Sequence, residues 1–142
     1  MQQQPNTCDK YIQLSHLNVG GWTTNNHALR EAIICKSSSS IFCVNETHLS
    51  GTNTLEIEGY TYYAHNRKRT HIRAPKTFGG VGVFVKNCLF SNYDIKIYDK
   101  GQEDIMGIMF TDKHTDYSFL IISCYLPPEN SPYVMLCLSS TI

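Results

Sequence analysis

Apolar and polar residues alternate loosely from Tyr11 to Asn18 and Gly20-Gly21 closes the run, which predicts a strand ending in a turn. Ala28, Leu29, Ala32 and Ile33 then recur at helical spacing. They predict a helix capped by Thr24 or Asn25, with those four side chains on its buried face, ending before Ser37-Ser38-Ser39-Ser40. Ile41 to Asn45 is a short apolar, β-branched run that reads as a second strand. A strand–helix–strand order of this length predicts a right-handed crossover between parallel strands. Their carboxyl ends then share one rim, the place where ligands and catalytic groups gather in α/β sheets, so Asn18 and Glu46 are expected to meet there.

Beyond this point the helical period fades and strand patterns repeat: Tyr60 to His65, Gly80 to Val85, Tyr93 to Tyr98, Ile105 to Phe110 and Tyr117 to Tyr125. The chain therefore reads as α/β (α+β), mostly β in its second half, with no internal repeat. Gly79-Gly80-Val81-Gly82 invites comparison with a phosphate-cradling loop, but the glycines precede a strand and no Gly-Lys-Ser/Thr follows, which excludes that motif.

Composition narrows the class. The 142 residues suit one globular unit, and no apolar run approaches the roughly 18 to 20 residues needed to cross a bilayer. The N-terminus lacks a charged-then-apolar signal pattern, so the expectation is a soluble, intracellular protein without a membrane partner. Twelve basic and twelve acidic residues cancel, and the global field announces no polyanion partner. Locally, Arg67, Lys68, Arg69, Arg73 and Lys76 fall in one stretch without an acid. That stretch is either a solvated loop or a set of phosphate contacts. The six cysteines form no C-x-x-C pair and have no histidine at a zinc-finger offset, so they read as free thiols.

Glu46, in Glu46-Thr47-His48-Leu49, places a carboxylate directly after a hydrophobic strand, where oxygen ligands could hold a hard divalent cation. Alone, such a glutamate is an ordinary exposed acid, Asn18 a turn residue and Tyr125 a core residue. The order of four segments changes that: Leu17-Asn18-Val19-Gly20-Gly21-Trp22, Cys43-Val44-Asn45-Glu46-Thr47-His48-Leu49, Gly79-Gly80-Val81-Gly82-Val83 and Cys124-Tyr125-Leu126-Pro127-Pro128. Together they resemble the endonuclease/exonuclease/phosphatase family. Their wording is similar to the endonuclease domains of non-long-terminal-repeat retrotransposons and to apurinic-site endonucleases.

The resemblance implies a partial four-layer αββα sandwich of the DNase I-like type over residues 10–133, with tails at 1–9 and 134–142. It implies that Glu46 is a ligand of Mg²⁺ (or Mn²⁺), that Asn18 helps set the metal and phosphate environment, and that Tyr125 hydrogen-bonds near the scissile phosphate of DNA. The basic stretch would then supply sequence-independent phosphate contacts. The chain also departs from the family pattern. Gly20 stands where a further polar group is usual, Asn45 replaces a common Gln, and Pro128 follows the Y-x-P segment where some members place an Asn, with Asn130 two positions on. The G-D-x-N and S-D-H segments that activate water and contact phosphate in the family are missing. The expectation is thus the N-terminal part of a nuclease domain, impaired in turnover. A phosphoesterase of the same fold with another substrate and a non-catalytic, weakly nucleic-acid-binding remnant are the alternatives.

Overall fold

The computed structural model describes residues 8, 10–67, 79–99 and 102–126. Strand β1 (Leu14–Asn18) leads through helix α1 (His27–Ser37) to β2 (Ile41–Asn45), and the two strands pair in parallel with Asn18 level with Asn45. β3 (Tyr60–His65) and β4 (Val81–Lys86) complete a four-stranded sheet in the order β1-β2-β4-β3, β4 being antiparallel to both of its neighbours. β1, β2 and β3 consequently run the same way. Asn18, Asn45, Val81 and His65 lie in one row across the sheet, at the rim where those three strands end.

A 3₁₀ turn (Asn87–Ser91) connects to the second sheet, the antiparallel meander β5 (Tyr93–Asp99), β6 (Ile105–Asp112) and β7 (Ser118–Cys124). Every position of β2 and the first five of β4 are buried, because each strand packs on both faces. That is why they read as continuous apolar runs and not as alternating ones. Towards the second sheet, Ile41, Cys43, Val81, Val83 and Val85 meet Met106, Ile108, Phe110, Ile121 and Tyr125. On the opposite face, Phe42, Val44 and Phe84 meet Ile34 of α1 together with Trp22, Leu55 and Ile57. The described residues thus form three layers, helix on sheet on sheet, of the expected four.

The helix presents a different side from the one expected. Leu29 is 60% and Ile33 37% exposed, and Ala28 and Ala32 also face outward, whereas Ile34 is buried at 1%. Polar side chains carry much of the packing side: Arg30 Nη2 donates to the Val19 carbonyl at 2.7 Å, and His27 Nδ1 accepts from Trp22 Nε1 at 3.0 Å. The start is shifted too. Asn26, not Thr24 or Asn25, precedes the first helical residue and makes no side-chain cap bond, because it is engaged in a reciprocal pair with Thr23.

The expectation of free thiols is also corrected. Cys8 and Cys88 form a disulfide across 80 positions, tying the chain's start to the 3₁₀ turn, while Cys35, Cys43 and Cys124 retain thiols. Cys137 lies outside the described residues.

Candidate active site

The segment after β2 is gripped from both sides. On one side, Val19, Gly21 and Trp22 donate their N–H groups to the carbonyls of Asn45, Glu46 and Thr47 at 3.0, 2.7 and 2.8 Å. On the other, Thr47 and His48 donate to the carbonyls of Gly80 and Gly79 at 3.3 and 2.9 Å. Between these clamps Glu46 and His48 adopt φ of 52° and 58°. Left-handed backbone at non-glycine residues costs about 1 to 3 kcal/mol each and persists only where the surroundings over-determine it. Two glycines make the grip possible: a Cβ on Gly80 would lie 2.5 Å from Thr47 Oγ1, and one on Gly21 would lie 2.8 Å from His48 Nδ1. Gly21 and Gly80, one from each double-glycine segment, therefore serve one purpose, close approach to the segment that carries Glu46.

The half-buried Glu46 side chain points at the second sheet, where its Oε1 accepts a short hydrogen bond from the Tyr125 hydroxyl. Tyr125 is 7% exposed, with its ring in the inter-sheet core and its hydroxyl at the rim. Asn18, at the end of β1, accepts the Gly20 N–H on Oδ1 at 3.0 Å and so shapes the turn that clamps Glu46. Asn45, 4% exposed, has its Oδ1 buried without a hydrogen-bond partner immediately before Glu46. The three residues singled out from sequence thus converge on one rim although 79 positions separate Glu46 from Tyr125.

Asp104 is the rim residue that the sequence did not single out. It is 5% exposed, with φ of 61°. Its Oδ1 accepts the Gly80 N–H at 2.8 Å, its Oδ2 accepts Arg67 Nε and Nη2 at 3.0 and 2.5 Å, and its carbonyl accepts the Tyr125 N–H at 2.8 Å. Hydrogen bonding to Asp104 pushes the Arg67 guanidinium up from its ordinary value. Arg67 therefore meets a carboxylate of its own chain. Lys68, Arg69, Arg73 and Lys76 lie outside the described residues.

The donors at the rim suit a hard cation held through few protein ligands. Glu46 supplies a carboxylate, Asn18 an amide oxygen and Asn45 an orphaned buried one. No group of three or more His, Cys, Asp or Glu side chains suited to a metal occurs among the described residues. A set of this kind fits Mg²⁺, which binds through one or two carboxylates and keeps several waters, better than a metal needing a closed nitrogen or sulfur shell.

The sequence matches no protein-family model and no curated protein. The fold is similar to the crystal structure of an AP endonuclease from Leishmania major, with a TM-score of 0.67 at 15% sequence identity over 82% of this chain. The chain spans 40% of that protein's length. The likeness shows the fold: a mixed α/β arrangement, mostly β, of the DNase I-like type.

Proposed function

We propose that this chain carries the metal-binding rim of a Mg²⁺-dependent phosphodiesterase acting on DNA, of the retroelement endonuclease kind, and that its own turnover is impaired. The observation that carries this reading is the Glu46 carboxylate. It stands at a strand end on left-handed backbone, clamped from two sides, with Tyr125 and Asn18 brought to it from opposite ends of the chain. Strain over-determined in this way is characteristic of functional positions. Glu46 and Asn18 would hold the cation, which when bound supplies charge stabilisation at the phosphoryl and leaving oxygens. Tyr125 fixes the rotamer of Glu46 and can turn its hydroxyl towards a phosphate oxygen. DNA as the substrate rests on the remainder of the basic stretch, Lys68, Arg69, Arg73 and Lys76, Arg67 being paired with Asp104, and on the wording of the Asn18, Glu46 and Tyr125 segments.

Impairment follows from the state of the acids. Of Glu46 and Asp104, the second is committed to Arg67 and Gly80, leaving Glu46 as the rim carboxylate open to a cation. A positioned general base or acid is worth about 10² to 10⁴ in rate, and Asp104, held by Arg67 and Gly80, is taken up in structural contacts instead of activating water.

Two measurements test this. Mn²⁺ added to isotope-labelled chain should broaden the resonances of residues 18, 46 and 125 first, and Glu46→Ala should abolish the effect; broadening centred elsewhere would sink the metal assignment. Supercoiled plasmid incubated with the chain and Mg²⁺ should be nicked no faster than background, and nicking that disappears in Glu46→Ala would show an unimpaired enzyme.

A further inference from the structure

A second feature of the same rim has no part in metal binding. β3 is an edge strand whose end, His65, stands level with Asn45 through Val81. Two strand spacings of about 4.8 Å place it roughly 10 Å from β2 along the rim. Beside it lies a cavity of about 500 Å³ lined by Thr52, Asn53, Thr54, Tyr63, His65 and Ile97, among others. No Asp, Glu, Lys or Arg lines it among the described residues.

The geometry fixes the chemistry of the histidine. His65 is 7% exposed, and its Nδ1 lies 2.8 Å from the Ile105 carbonyl. A carbonyl only accepts, so Nδ1 carries the proton and the lone pair of the neutral ring sits on Nε2. Nε2 has no hydrogen-bond partner among the described residues, and His65 is one of the residues that line the cavity. Another wall is held in place by Asn66, whose Nδ2 donates to the carbonyls of Gly51 and Asn53 at 3.1 and 2.7 Å, leaving the side chains of Thr52, Asn53 and Thr54 exposed. Ile97, 41% exposed, adds an apolar surface from the second sheet.

We infer that this cavity is a nucleobase-binding pocket. A fixed acceptor on a buried ring, hydroxyl and amide groups beside it, an apolar wall and no Asp, Glu, Lys or Arg among the described lining residues favour a flat, neutral ring with N–H donors on its edge over a phosphate or a carboxylate. The volume lies within the 300 to 1,000 Å³ typical of small-molecule sites. The inference rests on the DNA reading for its ligand: the base would belong to the strand whose phosphate reaches Glu46, held to one side of it by the spacing between β2 and β3. His65 would accept from the base edge, and Asn53 and Thr54 would complete the hydrogen bonds across it.

The test uses the whole chain, labelled with ¹⁵N-histidine, and free deoxynucleosides. Deoxyadenosine and deoxycytidine should shift the His65 Nε2 resonance saturably, and deoxyribose 5-phosphate and inorganic phosphate should leave it in place. His65 is buried and its replacement would alter packing, so the companion variant is Asn53→Ala with Thr54→Val, on the exposed loop. It should raise the nucleoside Kd at least fivefold with the fold unchanged. No saturable shift, a shift that phosphate reproduces, or an unaltered Kd in the double variant overturns the proposal. Nucleoside binding needs neither metal nor Glu46, so repeating the titration in Glu46→Ala separates failure of the pocket from failure of the phosphodiesterase reading.

Discussion

Asp104 joins three parts of the chain through one carboxylate and one carbonyl: Arg67 beyond β3, Gly80 before β4 and Tyr125 after β7. Removing one partner of a buried ion pair typically costs about 3 to 5 kcal/mol, and with Arg67 still 25% exposed a loss of about 1 to 3 is expected for Asp104→Asn. Urea denaturation measures it, and a change below half a kcal/mol would mean that the pair behaves as surface charge. Tyr62 is the opposite case. Its ring packs on Phe84 with centroids 4.5 Å apart over the bare Cα of Gly82, and its buried hydroxyl has no hydrogen-bond partner. Deleting an unsatisfied buried hydroxyl removes a desolvation cost, so Tyr62→Phe should be neutral or stabilising by about 1 kcal/mol. Burial also pushes the phenol above its ordinary value near 10. The unfolded chain therefore releases that proton first, and stability that is intact below pH 10 falls as the pH rises above it. Tyr62→Phe should lack this share of the alkaline loss, and denaturation midpoints at pH 8 and pH 11 would reveal an unchanged slope if the reading is wrong.

At the scale of elements, the strands were legible because β-branched and aromatic runs have few other uses, and the parallel β1–β2 pair followed from the length of its crossover. The side on which α1 packs was not legible. Apolar spacing pointed to Ala28, Leu29, Ala32 and Ile33, yet the helix meets the sheet through Ile34, an imidazole and a guanidinium whose partners, Trp22 Nε1 and the Val19 carbonyl, become visible only in three dimensions. The same limit applies to the rim. Asn18, Glu46 and Tyr125 were legible through motif order, whereas Asp104 sits in a turn, Gln102-Glu103-Asp104, that looks like solvated charge until Arg67 and Gly80 are placed beside it. The helix assignment is testable by contrast. Leu29→Ser should change stability by less than about 0.5 kcal/mol, and Ile34→Ala should cost about 2 to 5 kcal/mol. Similar losses in thermal denaturation of the two variants would restore the face expected from sequence.

For the molecule as a whole, the Cys8–Cys88 bond closes a loop of 80 positions, which the chain-entropy account values at about 4 to 5 kcal/mol. Nothing in the spacing of those two cysteines marked them as partners, because sequence separation carries no information on proximity. What remains open is the far side of the second sheet. β7 pairs with β6 along one edge, and no strand pairs its other edge among the described residues. Ile121 and Ser123 are buried, and the alternation turns Leu120 and Ile122 to the outer face, where they are only partly covered; Met109 of β6, opposite Leu120, is in the same position. An unpaired edge beside an apolar face is a template for association with another strand. The purified chain should therefore self-associate as its concentration rises, as read by sedimentation velocity. Ile122→Lys should hold it monomeric, because it places a charge on the outer face beside the open edge and leaves the inter-sheet core untouched. A chain that stays monomeric over the same concentration range without the substitution would show that this edge and face are already protected.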